Sequence, residues 1–435
     1  MRTCEDVTMA MLITHTYYYL AQLHGKLGNG KKSAEYCHKT LARQLRWDQY
    51  EPLDWCGNAA TLSQFYTNQD NYTSARYHLA CARTVFHKHF PPAGQQGDRE
   101  EDKKEDREKD KKEDKKEDKE EDKEEDIILE RKEKISECGA HISRLCGKYG
   151  QCLLEFSHSQ SVLGKVYQAI ENVDNPEDEA LENPEFDSLD VSAVLAEVSD
   201  VKITNWNEAR KVFLWAQKHF ISSQSHYTLN EHCTDYVEIT RDISQLYKHL
   251  IKFEADTDRA SKMQRRRADL LEPLVTELSQ SHYLLVIRQI LFELGEIFSD
   301  LMDLKTSRWS EEPNNPHHAR KVNLVVTKAI EYFLQFLDTM KVEGEHPRVY
   351  NEESVRPALL ARFHLGRLSS KFVVTENSEA HLRNTVSSYS RYKEIVDYCQ
   401  SNPHGQAAIE EEFEICQEMV RLLPLKVESI RRNIK

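Results

Sequence analysis

Glycine and proline are scarce in this chain, 14 and 12 of 435 residues, or about 3% each where about 7% and 5% are usual. So few turn-formers cannot supply the corners of a β-sandwich or barrel, and strand-like alternation of apolar and polar residues is missing too. Nor does any stretch approach the roughly 18 uninterrupted apolar residues of a membrane span. Met9–Ile13, the longest such run near the start, is far short of a signal core. Ten cysteines (Cys4, Cys37, Cys56, Cys81, Cys138, Cys146, Cys152, Cys233, Cys399 and Cys416) contain no CxxC pair and read as reduced thiols of a cytosolic protein. No GxSxG elbow, HExxH pair or convincing triad is found, so the chain is not expected to be an enzyme, and no metal or cofactor is predicted.

What is present is charge and helical periodicity. The formal charge is −14, and half of it lies in Asp98–Asp126, which holds 29 consecutive charged residues, 18 acidic and 11 basic. The remainder is mildly acidic, which argues against nucleic acid and suits a basic protein partner. In the tract like charges recur at i,i+4, as in Glu113 with Glu117 and Lys112 with Lys116, which weakens a lone helix. Its repeated aspartates are poor helix formers as well. Residues 93–130 therefore read as a charged disordered insert, and the acidic, proline-containing 173–200 as a linker.

Elsewhere apolar residues recur at helical spacing, in Asn205–Ser222, Asp235–Phe253, His282–Leu304, Ala319–Thr339, Pro357–Val374 and Asn384–Gln400. The pattern predicts an all-α fold of antiparallel helix pairs. Residues 1–92 form one repeat region, 131–172 continue or link it, and 201–435 form a carboxyl-terminal helical lobe. Within 1–92 the repeat is specific. Leu62, Ser63, Tyr66, Ala75, Leu79 and Ala82 fall at the positions where the two helices of a tetratricopeptide repeat interlock. Tyr17, Leu20, Ala21 and His24, followed by Ala34, His38 and Leu41, repeat that set 41–42 residues earlier. The fold expected is a tetratricopeptide-like right-handed α-solenoid.

This register explains the run Tyr17-Tyr18-Tyr19. Tyr17 takes the large-residue position inside its hairpin, whereas Tyr18, Tyr19 and Gln22 lie on the other side of the helix, as do Thr61 and Gln64 in the next repeat. First helices line the concave wall of such a solenoid, so Tyr19, Gln22, Thr61 and Gln64 are candidate partner-binding residues. The alternative is that some of them pack on a neighbouring repeat.

Three other features carry less. Gly25–Ser33, "GKLGNGKKS", resembles a phosphate loop but follows a helix and has Lys32 where Ser or Thr would hold a metal, so it reads as an inter-helix turn. The His–Cys pairs and His317-His318 lack a second half at zinc spacing. Lys262, Arg265, Arg266 and Arg267 read as one solvated helix face.

The segments "ITHTYYYLAQ", "EYCHKTLARQL", "NAATLSQFY", "KMQRRRADLLEPL", "YLLVIRQILFELGEIFSDLMDLK", "VRPALLARFHLGRL", "YKEIVDYC" and "EMVRLLPLK" resemble, in that order, the kinesin-binding protein family, also called KIF-binding protein. The resemblance implies a solenoid of two lobes that binds the motor domains of a subset of kinesins and keeps them off microtubules, in the cytoplasm and at the cytoskeleton. A general scaffold without effect on motor attachment is the alternative. Nucleic acid, membrane insertion and a small-molecule substrate are not expected. Carried over residue by residue, the groove positions match Tyr19, Gln22, Gln44, Thr61 and Gln64, and a carboxyl-lobe loop matches "HCTDYVEI", adding Thr234, Asp235 and Glu238. Members of the family carry further helical repeats before the part matching Ile13, so a shortened amino-terminal lobe is expected, and no role attaches to the charged insert.

Overall fold

The computed structural model describes residues 4–91, 118–167, 186, 188–311, 315–341, 349–374 and 378–434. They form fifteen helices and no strand: α1 (Cys4–Lys26), α2 (Gly30–Trp47), α3 (Pro52–Asn68), α4 (Tyr72–His89), α5 (Asp118–Tyr167), α6 (Ser192–Leu195), α7 (Trp206–Gln224), α8 (Cys233–Ile251), α9 (Thr257–Glu277), α10 (Gln280–Glu311), α11 (Pro316–Asp338), α12 (Glu352–Ser369), α13 (Ser378–Ser401), α14 (Pro403–Ala408) and α15 (Glu410–Ile434). The all-α solenoid class read from the sequence is the one observed. Two compact units divide the chain, residues 1–253 and 254–435.

In the first unit α1 pairs with α2, α3 with α4, and α5 with α7, with α8 against α5 and α7. The two early hairpins turn alike. Each first helix ends at a left-handed residue, Gly28 (φ 73°) or Asp70 (φ 55°). An asparagine follows and caps the second helix, Asn29 accepting from Lys32 N and Asn71 from Ser74 N. A left-handed residue frees the chain to reverse, and the asparagine satisfies an amide that the helix start leaves open. This is the structure of the "GKLGNGKKS" segment, an inter-helix turn. Burial also follows the repeat: Ala34, His38, Leu41, Leu62, Ser63, Tyr66, Ala75, Leu79 and Ala82 are all buried. The second hairpin is tied to the first by Trp55, 1% exposed, whose Nε1 donates to Leu41 O at 3.2 Å.

Three sequence boundaries shift. The helix α5 begins at Asp118, so 118–130, read as the end of the disordered insert, is helical; the visible support is an i,i+4 pair, Lys134 with Glu130 at 2.7 Å. The rest of the insert and 173–185 lie outside the described residues. The end of the supposed linker is docked instead of free. Phe186 stacks on His38 with centroids 4.6 Å apart, Val191 and Val198 are buried, and Arg76 binds Val198 O (3.0 Å) and Asp200 (2.8 Å). Finally, α7 and α8 belong to the first unit rather than to a lobe starting at 201. The reason is close packing of α5 on α7, where a Cβ on Gly147 would sit 2.5 Å from the Phe220 ring and one on Gly150 2.7 Å from Ala216.

In the second unit each helix from α9 to α12 packs on the next, and α13 packs on α12 and α15. Its basic cluster is not one solvated face. Lys262, Arg265 and Arg266 are exposed, but Arg267 is 2% exposed and pairs with buried Glu293 at 2.9 Å.

Candidate functional site

The first helices of the hairpins bring polar side chains to one groove. Between α1, α2 and α3 it has a volume of about 1060 Å³ and is lined by Thr14, His15, Tyr18, Gln22, Gln44 and Asn58, among others. A second stretch of about 750 Å³, between α3 and α5, is lined by Glu51, Asp54, Ile127, Glu130, Glu137 and Tyr227 among its residues. The two meet at Asp54 and Asn58, which line both.

The helix α1 is held so that this face stays open. Tyr17 turns toward α2, with its ring 5.8 Å from that of Tyr36 and Arg43 5.9 Å over it. Arg43 also donates to Thr14 Oγ1 (3.4 Å) and Ala10 O (3.3 Å). Tyr18, one position on, is thereby rotated about 100° away and lines the groove. Tyr19 packs edge-on against Tyr18 with centroids 5.6 Å apart and is 66% exposed beside the groove.

Of the residues singled out in the sequence, Gln22 and Gln44 line the groove together. Gln44 Oε1 is buried and has no hydrogen-bond partner among the described residues. Thr61 and Gln64 are exposed on α3, where Thr61 follows Asn58 by one turn, outside the lining. Thr61 Oγ1 is turned back onto Gly57 O at 2.9 Å.

Thr234, Asp235 and Glu238 are not on a loop but in the first turns of α8. Asp235 binds Arg144 of α5 at 2.8 Å, and Glu238 binds the same guanidinium. Lys148 binds Asp242 one turn on, at 2.7 Å. Burial and its acidic neighbour Glu238 raise the Asp242 carboxyl, against the pull of Lys148 and Arg144. Thr234 is exposed. Thus two of these three carboxyl-side candidates already serve an internal clamp between α5 and α8.

Tyr18, His15, Asn58 and Asp54 were not among the residues chosen from the sequence. Their signal is an i, i+3/i+4 stripe, Thr14/His15–Tyr18–Gln22 on α1 and Asp54–Asn58 on α3, whereas Tyr19 sits at the edge of that stripe. No group of three or more His, Cys, Asp or Glu placed to hold a metal occurs among the described residues, and no helix of theirs is long and apolar enough to cross a membrane.

Comparison with known proteins gives a consistent picture. A family model described as "KIF-1 binding protein C terminal" matches residues 53–430. The chain is 34% identical to the KIF-binding protein of Danio rerio, in an alignment covering 98% of this chain and 66% of that protein. It is 35% identical to that of Xenopus tropicalis, over 96% of this chain and 67% of the other. A solved structure described as "Cryo-EM map of KIFBP" superposes with a TM-score of 0.64 at 26% identity, over 98% of this chain and 75% of that one. The chain thus spans about two thirds of the length of the curated relatives it matches.

Proposed function

Because the chain belongs to the KIF-1 binding protein family, we propose that it binds kinesin motor domains along the α1–α3–α5 groove and keeps them from attaching to microtubules. The observation that carries this reading is the pair of adjoining groove stretches that share Asp54 and Asn58. Their linings combine the aromatic Tyr18, the amides Gln22, Gln44 and Asn58, and the carboxylates Glu51, Asp54, Glu130 and Glu137, with Lys26, Arg131 and Lys134 among them.

The mechanism is steric and electrostatic. A motor meets its acidic track through a basic surface, and an acidic solenoid lying on that surface competes with the track. Glu51, Asp54 and Glu137 provide the carboxylates, which steer the encounter. Tyr18 offers contact area with few rotors to freeze, and Gln22 and Gln44 line the same stretch with their side chains. Tyr19, Thr61, Gln64 and Thr234 complete the contact from the rim. Asp235 and Glu238 act through the Arg144 clamp that positions α8. The role is regulatory and non-enzymatic, in microtubule-based transport.

The test is an affinity measurement between this chain and purified kinesin motor domains. Tyr18→Ala with Gln44→Ala is expected to weaken binding at least tenfold while the thermal unfolding midpoint stays within a few degrees. Unchanged affinity in a folded double variant would remove the groove from the account.

A further inference from the structure

A third cavity, of about 460 Å³, lies between α4, α5 and α7 and shares no lining residue with the groove. Its composition is opposite in sign. In a chain of net charge −14, the lining has Arg83, Lys218, three histidines and four serines and not one Asp or Glu. Phe86, Phe90, Ile135 and Ile142 form an apolar wall beside them.

The carboxylate bound to the lining's Arg83 is already engaged. Glu197 receives both forks of Arg83, at 2.8 and 3.2 Å, and the Trp215 Nε1 proton at 3.0 Å. Lys218 makes no ion pair with a described residue, and Ser143 and Ser222 donate no hydrogen bond to one. Three carbonyls at the ends of α4 and α7 are hydrogen-bonded internally: Phe86 O accepts from Phe90 N at 2.8 Å, Ser222 O from Ser225 Oγ at 2.7 Å, and Ser223 O from Tyr227 N at 3.1 Å. Burial, then the Arg83 charge, holds His219 down to about 3 and lowers His87 as well.

We propose that this pocket binds a phosphate monoester, with Lys218, Ser143 and Ser222 on the phosphoryl oxygens and Phe86 and Phe90 against the apolar remainder of the ligand. The volume lies in the range of about 300–1,000 Å³ that small-molecule pockets occupy. Phosphoryl oxygens accept several charge-assisted hydrogen bonds at once, which a carboxylate-free ring of donors supplies. The same chemistry is offered by a free nucleotide and by a phosphoserine side chain.

Titration calorimetry of the full chain separates these sources with four probes: AMP, adenosine, a phosphoserine heptapeptide and its unphosphorylated form. At least one phosphorylated probe is expected to bind saturably and at least tenfold more tightly than its unphosphorylated counterpart. Binding of AMP alone would place the ligand among free phosphorylated small molecules, and binding of the heptapeptide alone among modified segments of a partner. Lys218 and Ser222 are exposed, so Lys218→Glu and Ser222→Asp leave the core untouched. Each should weaken the bound probe tenfold or more, while Lys202→Glu, outside the pocket, changes it less than twofold. Absence of binding by both phosphorylated probes, or binding that survives Lys218→Glu and Ser222→Asp, would overturn the proposal. Neither result bears on motor binding, which uses other residues.

Discussion

Arg267 tests how the second unit is held together. Its guanidinium is 2% exposed, binds Glu293 at 2.9 Å and donates to Gln264 Oε1 at 2.9 Å, while Gln264 Nε2 continues to Asp300 at 2.9 Å. Burial lowers the Arg267 pKa, and Glu293 opposes that shift by charge and hydrogen bond. Replacing the arginine by alanine takes the cation away from a buried carboxylate, a loss of about 3–5 kcal/mol by comparison with broken buried pairs. For a unit of this size about 2–4 °C is lost per kcal/mol, so the unfolding midpoint should fall by about 6–20 °C. The double variant Arg267→Met with Glu293→Leu removes both charges at once and should recover most of that loss. Thermal and urea unfolding followed by circular dichroism measures both. A loss under about 1 kcal/mol in Arg267→Ala, or a double variant as unstable as the single one, would refute the reasoning.

Two glycines on helices of the first unit should respond oppositely to alanine. At Gly147 the new Cβ meets the buried Phe220 ring at 2.5 Å, so Gly147→Ala should cost about 1–3 kcal/mol. Gly57 has nothing within 4 Å of such a Cβ, so Gly57→Ala should stabilise by about 0.5–1 kcal/mol; chemical denaturation reads both signs. Acid should weaken the first unit through His78, which is 1% exposed, meets His38 Nδ1 at 2.9 Å and is held down to about 4, mainly by burial. Its folded value lies below the unfolded one, so its contribution is complete above about pH 6.5. It is lost as pH falls toward 4, to a total of about 3 kcal/mol. His78→Gln should flatten that part of a stability-against-pH curve, and an unchanged slope would assign the acid sensitivity elsewhere.

The helices were legible because burial leaves a 3.6-residue mark. Asn205–Ser222 was read and Trp206–Gln224 is observed, with Asn205 as its cap. Pro357 looked like a helix start, yet α12 begins earlier at Glu352 behind the Asn351 cap, since a single proline near the first turns is tolerated when packing favours the helix. What sequence could not give was tertiary choice. Phe186 and Val198 look like linker residues until α4 is beside them, and Arg267 looks like its exposed neighbours until Glu293 of α10 is placed. At the groove, periodicity put Tyr18 and Gln22 on the side of α1 away from Tyr17, and both line the cavity between α1, α2 and α3. That Tyr18 rather than Tyr19 lines the cavity depends on the roll of α1, which is set by Arg43 and Tyr36 from α2.

The central claim is that a motor held by this chain is unavailable to its track. Co-sedimentation of a purified kinesin motor domain with microtubules, with and without this chain and at two salt concentrations, tests it directly. The account predicts motor left in the supernatant, less of it at high salt because charge steers the encounter. Motor that pellets undiminished while demonstrably bound to this chain would contradict it and leave a scaffold that rides with the motor.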